Sequence, residues 1–273
     1  LKAGEYRLAG NVTSQFISGL LFALPRLNGD SKIILTSKLE SKLYVDMTLS
    51  VLEQFGIDII IEDNTYIVKG NQTYHAKDGN VEGDWSNAAF WLVAGAIGDN
   101  AITTTGLLND SLQGDKKIAE LLAEFGADIT YEGNSVMVAP KEMHGINIDA
   151  MDIPDLVPIL AVAASFAKGD TVIYNAARLR LKESDRLKTV TEVLNSIGAN
   201  IEEKEDGLII HGVDMMKGGT VNAMGDHRIA MMSAIAAIRC EEKVVIENAE
   251  AVNKSYPTFF RDYEQLHGKV VID

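Results

Sequence analysis

The sequence has little cysteine and no long hydrophobic run. Cys240 is the one cysteine among 273 residues, so neither an internal disulfide nor a cysteine-rich zinc site can form. The apolar runs FWLVAGAIG and ILAVAASFA have about half the roughly 20 residues that a membrane-spanning helix needs. The start of the chain carries no basic leader segment either. These features predict a soluble, cytoplasmic protein of a reducing compartment.

Positive charge is also scarce. The 25 Lys and Arg residues stand against 39 Asp and Glu residues, which gives a formal net charge of −14 at pH 7. This balance excludes a general nucleic-acid binder, because such proteins carry a basic surface. It leaves an anionic substrate open, since a binding site depends on local charge. The 47% hydrophobic content is enough for sizeable cores and excludes a disordered chain.

An internal repeat organises the chain. Segments that begin at Val51, Leu121 and Val193 each consist of a helix end, a glycine, a short strand, a tight turn and a second strand. Their shared glycines lie 70 and 72 residues apart, at Gly56, Gly126 and Gly198. A glycine just past a helix adopts the left-handed conformation without a Cβ penalty. The pattern therefore predicts a helix that closes at each glycine, followed by a hairpin.

Four helix–strand pairs extend this pattern into a unit of type βαβαββ. The first helix of each unit is small and apolar all round, as in ILAVAASFA, which predicts a helix buried on most sides. The second helix is amphipathic. We therefore predict an α/β fold of the inside-out barrel type, with sheets wrapped around buried helices; a solenoid is the competing interpretation. The last copy, PTFFRDYEQLHGKVVID, predicts a helix and a final strand.

The polar segment 72–84 separates the first copy from the others. We place a domain boundary near residue 83, so that residues 1–82 hold one βαβαββ unit and residues 83–273 hold three such units.

The strongest chemical motif is RLRLKESDRL, residues 178–187. It places four cations in nine residues at the start of a helix, where backbone N–H groups already favour an anion: Arg178, Arg180, Lys182 and Arg186. Glu183 lies among these cations and could take up or pass a proton. A solvated charged loop is the alternative.

Other motifs also lie at predicted helix starts. GDHRIAM carries His227 and Arg228 behind the capping Asp226, NKSYPTFF carries Lys254, and DIPDLVP carries Asp155. VTSQF supplies hydroxyl and amide groups. Capping or surface exposure explains most of these motifs singly. Equivalent helix starts of a repeat can converge, however, and would then form a cleft for a polyanionic small molecule, with Glu183 and Asp155 as acid and base. No P-loop, dinucleotide or metal-binding motif is present.

Taken together, LKESDRL, GDHRIAM, NKSYPTFF, VTSQFISGLL, MDIPD and EGDWSNAAF resemble, in this order and spacing, the C-terminal part of the EPSP synthase family. The resemblance covers essentially the whole chain. It implies a two-domain fold built from six such units, with the active site between the domains. The implied reaction moves the enolpyruvyl group of phosphoenolpyruvate to the 5-hydroxyl of shikimate 3-phosphate. This reaction, which belongs to aromatic amino acid biosynthesis, needs neither metal nor organic cofactor.

The resemblance also implies residue roles. Those for phosphoenolpyruvate fall on Gln15, Arg186, Arg228 and Lys254. Those for shikimate 3-phosphate fall on Thr13, Ser14, Gln15, Ser41, Asp155 and Lys182. Asp155 matches the carboxylate that activates the hydroxyl, Glu183 the proton shuttle, and His227 a group that orients its neighbours. Thr13 stands where the family usually has Ser. Threonine keeps a hydroxyl group at this position.

The family's N-terminal motifs are not found in this sequence. We therefore expect a C-terminal portion that is inactive or nearly so alone, and that self-associates through an exposed apolar helix in residues 1–82, although the family is usually monomeric. The expected partners are the two small-molecule substrates, without nucleic acid or membrane. Two alternatives stay open: a repeat-built binding or scaffold module with a vestigial anion site, and an enolpyruvyl transferase for another acceptor.

Overall fold

A computed structural model describes residues 1–40 and 42–272 of the chain. The chain divides into two compact units. The first comprises Leu1–Glu82 with Asp110–Gly114, and the second comprises Gly83–Asn109 with Asp115–Asp273. The main division falls between Glu82 and Gly83, within the polar segment 72–84.

The first unit has the element order βαβαββ. Its elements are β1 (Glu5–Leu8), α1 (Ser14–Ala23), β2 (Ser31–Leu35), α2 (Lys42–Gln54), β3 (Ile59–Glu62) and β4 (Thr65–Val68). The sheet order is β1-β2-β4-β3, in which β1 and β2 are parallel and the remaining pairs are antiparallel. This arrangement is the one that the repeat predicts for a single copy.

Helix α1 departs from the expected burial on most sides. Ile17 and Leu21 are buried, whereas Phe16 and Phe22 are 63% and 44% exposed. Within its own unit, α1 packs against α2 on one side, so its other apolar face stays open to solvent. The prediction of burial on most sides is therefore wrong for α1, whose exposed face matches the exposed apolar helix expected in residues 1–82.

The second unit holds three further copies of the repeat; among the described residues, the first lacks the opening strand and the third lacks the hairpin. The first comprises α3 (Trp85–Ile97), β5 (Ile102–Thr105), α4 (Lys117–Phe125), β6 (Asp128–Glu132) and β7 (Ser135–Ala139). The second comprises β8 (Asn147–Asp149), α5 (Val157–Ser165), β9 (Asp170–Tyr174), α6 (Arg186–Ser196), β10 (Asn200–Lys204) and β11 (Gly207–His211). The third comprises β12 (Gly219–Asn222), α7 (His227–Ala236), β13 (Val244–Glu247) and α8 (Phe259–Gln265). Their sheets have the orders β5-β7-β6, β8-β9-β11-β10 and β12-β13.

Helices α3, α5 and α7 pack against one another in the centre of the second unit. All nine residues of α5 and all ten of α7 are buried. Their side chains are small or apolar except for His227 and Arg228 in the first turn of α7. The amphipathic α4 turns Ile118, Leu122 and Phe125 inward. The sheets alternate buried and half-exposed residues, as β7 does. The prediction of helices buried inside sheets is confirmed for this unit.

The repeat glycines behave as predicted. Gly56, Gly126 and Gly198 have φ angles of +79°, +109° and +114°. At Gly126, a Cβ would also lie 2.9 Å from the carbonyl oxygen of Glu142. Any larger residue there is therefore strained both by the positive φ and by this close contact. Each glycine therefore closes its helix and turns the chain into the following strand.

The predicted final strand is wrong. Residues 269–272 form no strand, because among the described residues β13 pairs only with β12. A strand needs a neighbour for its backbone hydrogen bonds. Within the described part of the chain, no helix is long and apolar enough to span a membrane.

We expect Leu160→Ala to lower the free energy of unfolding of the second unit by about 2–5 kcal/mol, because it leaves a cavity in the fully buried α5. Trp85 and Trp91 both lie in this unit, so tryptophan fluorescence during urea denaturation reports on it. The control Leu266→Ala removes a half-exposed leucine and should cost less than about 1 kcal/mol. Equal losses would contradict the central packing of α5.

Candidate active site

Four sequence motifs meet in the second unit, each just before or at the start of a helix. Asp155 lies in the 3-10 turn Pro154–Leu156 that leads into α5, and Arg186 is the first residue of α6. Arg228 lies in the first turn of α7, and Lys254 ends the 3-10 turn Ala249–Lys254 that precedes α8. The contacts below show that these charged side chains form one cluster.

Arg186 and Asp226 form the buried centre of the cluster. Their side chains are 1% and 0% exposed. The Arg186 guanidinium donates from Nε to Asp226 Oδ2 (2.8 Å) and from Nη2 to Asp226 Oδ1 (3.1 Å), which makes the pair bidentate. Asp226 also accepts from the backbone N–H of Arg228 (3.0 Å) and from Ser184 Oγ (3.1 Å). One carboxylate therefore caps α7 and fixes the first residue of α6.

Asp155 lies among three cations. Its carboxylate accepts from Arg186 Nη1 (2.8 Å) and lies 3.2 Å from Lys182 Nζ and 3.6 Å from Arg228 Nη2. Burial alone would raise the pKa of Asp155, but the positive charges of Arg228, Lys182 and Arg186 outweigh it and hold the pKa well below its usual range. Asp155 is therefore an ionised carboxylate at neutral pH.

Glu183 bridges two cations that belong to different helices. Its Oε1 accepts from Lys254 Nζ (2.6 Å) and its Oε2 from Arg186 Nη2 (2.8 Å). Partial burial opposes ionisation, but the hydrogen bond from Lys254 and the charge of Arg186 outweigh it and lower the pKa of Glu183 to about 2. Its side chain is 28% exposed, so the carboxylate lies at the solvent side of Arg186.

Arg228 and His227 are buried with open hydrogen-bonding positions. Arg228 donates from Nη2 to Ser86 Oγ (3.0 Å), whereas its Nη1 has no hydrogen-bond partner among the described residues. The same holds for Nδ1 of His227. Burial and the neighbouring Arg228 lower the pKa of His227, so its imidazole is neutral at neutral pH. A buried donor without a protein partner is unusual, so the Nη1 of Arg228 is free to bind a polar ligand atom.

The charge balance of the cluster favours an anion. Four cations, Lys182, Arg186, Arg228 and Lys254, stand against the carboxylates of Asp155, Glu183 and Asp226. The excess is one positive charge, in a chain whose net charge is −14. Guanidinium and ammonium groups at helix starts are typical ligands of phosphate and carboxylate.

Arg180 does not join the cation cluster that the sequence predicted for it. Its guanidinium turns to the β10–β11 hairpin, where it pairs with Glu203 (2.7 Å) and donates to the backbone oxygen of Lys204 (2.8 Å). It also pairs with Asp185, the residue that caps α6. Two carboxylates and a backbone oxygen thus neutralise and hold the Arg180 guanidinium. Through these contacts, Arg180 connects the loop that carries Lys182 and Glu183 to the β10–β11 hairpin.

The other predicted site residues are not in this cluster: three lie in the first unit, and one is not among the described residues. Thr13 caps α1 in the first unit by accepting from the backbone N–H of Gln15 (3.2 Å); Ser14 is buried and Gln15 is exposed at the same helix start. Ser41 lies outside the described residues. Among the described residues, no group of three or more His, Cys, Asp and Glu side chains could hold a metal ion.

Sequence reasoning missed the central role of Asp226 and the contact of Ser86. It assigned Asp226 the cap of α7 and a possible charge partner for Arg228, but not the ion pair with Arg186. The repeat carries a usable signal, because Asp84 and Ser86 at the start of α3 occupy the same relative positions as Asp226 and Arg228 at the start of α7. In both helices, the aspartate accepts from the backbone N–H two residues later (2.8 and 3.0 Å). Equivalent helix starts that meet in space therefore supply Arg228 and its acceptor Ser86.

Comparisons with known proteins agree with this fold. Residues 1–263 match the family described as EPSP synthase (3-phosphoshikimate 1-carboxyvinyltransferase). The 3-phosphoshikimate 1-carboxyvinyltransferase of Clostridium kluyveri is 53% identical over 273 residues, which cover 99% of this chain and 63% of that protein. The protein of the same name from Clostridioides difficile is 50% identical and covers 99% of this chain and 62% of its own length.

Solved structures give the same result. The EPSP synthase of Acinetobacter baumannii has a TM-score of 0.82 at 28% identity, over 97% of this chain and 62% of that one. The enolpyruvyl transferase NikO from Streptomyces tendae, at 19% identity and a TM-score of 0.77, shares the fold. Fold and charged cluster thus define an α/β repeat protein with a cationic candidate site. The chain belongs to the EPSP synthase family.

The chain spans slightly less than two thirds of the length of the curated relatives that it matches, 63% and 62% in the two cases above. The expectation that it is a C-terminal portion, inactive alone, stays a prediction.

We expect Asp226→Asn to lower the free energy of unfolding by about 3–5 kcal/mol, because it leaves the buried Arg186 charge facing an amide donor. Asparagine caps helices nearly as well as aspartate, so the loss reports on the ion pair and not on the cap. Asp84→Asn, at the equivalent and exposed cap of α3, is the matched control and should cost less than about 0.5 kcal/mol. Urea denaturation followed by tryptophan fluorescence measures both variants; a similar, small loss would contradict the central role of Asp226.

Proposed function

We propose that the chain carries part of the active site that transfers the enolpyruvyl group of phosphoenolpyruvate to the 5-hydroxyl of shikimate 3-phosphate, with release of phosphate. The observation that carries this proposal is the cluster of Lys182, Arg186, Arg228 and Lys254 around the carboxylates of Asp155 and Glu183. Membership of the EPSP synthase family supports it. The family's substrates supply the anionic groups that such a cluster accepts.

Phosphoenolpyruvate is the proposed ligand of Arg186, Arg228 and Lys254. The unpartnered Nη1 of Arg228 supports this assignment, since it is a buried donor with no described acceptor. Arg186 supplies a planar guanidinium whose plane is fixed by Asp226. Held in this way, the cations stabilise negative charge without having to reorganise during the reaction. Gln15, in the first unit, stays a predicted ligand.

The proposed chemistry is acid–base catalysis by two carboxylates. Asp155 accepts the proton of the 5-hydroxyl as its oxygen bonds to C2 of phosphoenolpyruvate, while Glu183 delivers a proton to C3. In the second half, Glu183 takes a proton back from C3, the C2–C3 double bond re-forms and the C2–O bond to phosphate breaks, with the Asp155 proton passing to the departing phosphate. Each step moves only protons and one C–O bond, so the charges of the cluster suffice. His227, neutral and buried next to Arg228, is proposed to orient these neighbours.

Shikimate 3-phosphate is the proposed ligand of Lys182 and Asp155. Their contact at 3.2 Å supports a shared position for the hydroxyl that reacts. Thr13, Ser14 and Gln15 stay predictions for the same substrate, and so does Ser41. The exposed Phe16 and Phe22 support the expectation that the chain self-associates through its first unit. Cys240 is free, in keeping with the proposed cytoplasmic location.

We expect Arg228→Gln to weaken phosphoenolpyruvate binding at least tenfold, about 1.4 kcal/mol, because it removes charged hydrogen bonds to the ligand. Isothermal titration calorimetry in the presence of saturating shikimate 3-phosphate measures the affinity. Arg261→Gln is the matched control, since this exposed arginine on α8 makes the same charge change and pairs with its neighbour Asp262. Equal affinities in the two variants would count against this site and favour a scaffold with a vestigial anion site.

A further inference from the structure

Glu183 occupies the same two cations that are proposed to hold phosphoenolpyruvate. Its two carboxylate oxygens take one hydrogen bond each, from Lys254 Nζ (2.6 Å) and from Arg186 Nη2 (2.8 Å). An anion that binds Arg186 and Lys254 therefore competes with Glu183 for both donors. Glu183, the proposed acid, is thus also the counter-ion of Arg186 and Lys254.

We propose that the substrate anion replaces Glu183 as the counter-ion of Arg186 and Lys254, and that Glu183 takes up a proton from solvent as the anion binds. The inference rests on the proposed function, since it assumes that the anion binds at these two cations. It adds the origin of the proton, which the family resemblance does not supply. The acid form of Glu183 then exists only while the substrate is bound.

The charge balance gives the direction of this exchange. Without ligand, four cations and three carboxylates leave one positive charge. A bound dianion turns this excess into a deficit of one, and a proton on Glu183 restores neutrality. Like charges in a confined site disfavour the ionised form of a carboxylate, so the anion raises the pKa of Glu183 from its low value.

Because Arg186 has other carboxylate partners, Glu183 can release it without moving the guanidinium. Three of the four hydrogen bonds that Arg186 makes to carboxylates go to Asp226 and Asp155, so its guanidinium stays fixed when Glu183 leaves. Lys254 is more than half exposed and can follow either partner. The exchange therefore needs movement of only two side chains at the solvent side of the cluster.

The other charged and titratable groups around Glu183 are Asp155, Asp226, His227 and Lys182. Asp155 lies with Lys182, Arg186 and Arg228, and Asp226 with Arg186, so these carboxylates keep their cations when Glu183 releases its own. His227 on α7 is the competing proton acceptor, because its pKa is lowered by burial and by Arg228, and a bound anion would raise it. The experiment has to separate Glu183 from His227.

Sulfate is the probe, because it remains a dianion throughout the measured range and carries no proton of its own. Isothermal titration calorimetry at about pH 5, in buffers of different ionisation enthalpy, gives the number of protons taken up on binding. We expect the unsubstituted chain to take up about half a proton or more per sulfate, and its affinity to rise as the pH falls. Glu183→Gln should still bind sulfate but take up almost none.

Glu192→Gln is the matched control. Glu192 lies on α6 as well, is exposed and pairs with Lys188 outside the cluster, so this variant should keep the full proton uptake. His227→Gln tests the competing acceptor: the proton uptake per bound sulfate should persist there even where the affinity for sulfate falls. Uptake that persists in Glu183→Gln and disappears in His227→Gln would overturn the proposal.

The measurement on the unsubstituted chain tests both the exchange at Glu183 and the anion site, even where a variant fails to fold. Sulfate binding without proton uptake would overturn the exchange at Glu183 while the anion site stands. Absence of sulfate binding would remove the anion site, and with it both the proposed function and this inference. Denaturation followed by tryptophan fluorescence shows which variants are folded.

Discussion

The buried ion pair of Arg186 and Asp226 is the interaction on which the rest of the site depends. Both charges lie away from water, where an unpaired charge costs several kcal/mol and a bidentate pair recovers much of that cost. The pair holds the starts of α6 and α7 together, across 40 residues of sequence. Asp155 and Glu183 then bind to the same guanidinium, and Lys182, Arg228 and Lys254 bind to those carboxylates. The Arg186 guanidinium, held by Asp226, thus fixes the positions of the other charged groups of the cluster.

The fold makes such a pair possible because each central helix separates its polar and apolar parts along its length. Helices α3, α5 and α7 are buried almost throughout, and their apolar bodies pack on one another. The polar residues concentrate at the helix starts, where free backbone N–H groups need acceptors and favour carboxylates. Asp84 and Asp226 satisfy these groups at equivalent positions. The repeat therefore produces a stable core and a charged site from one pattern.

Much of this organisation could be predicted from sequence, because helix period, closing glycines and capping residues act over a few neighbours. The repeat, the apolar helices and the candidate residues Lys182, Glu183, Arg186, Arg228 and Lys254 follow from such local rules. The direction of Arg180 does not, since a count of charges cannot say which acceptors lie nearby. Besides Asp185, its acceptors lie in a hairpin more than 20 residues later. The missing last strand likewise depends on which strand lies beside it to pair.

A strongly acidic chain with a cationic site raises the question of how an anion is attracted. The net charge of −14 repels a dianion at long range, but salt screens exposed charges beyond about 8 Å at physiological ionic strength. The cations of the cluster act at shorter distances and in a partly dry environment, where each charge counts for more. Their carboxylate partners prevent mutual repulsion before the ligand arrives and limit the excess to a single positive charge. Selectivity for an anion therefore comes from an exchange of counter-ions at fixed guanidinium groups and not from the field of the whole protein.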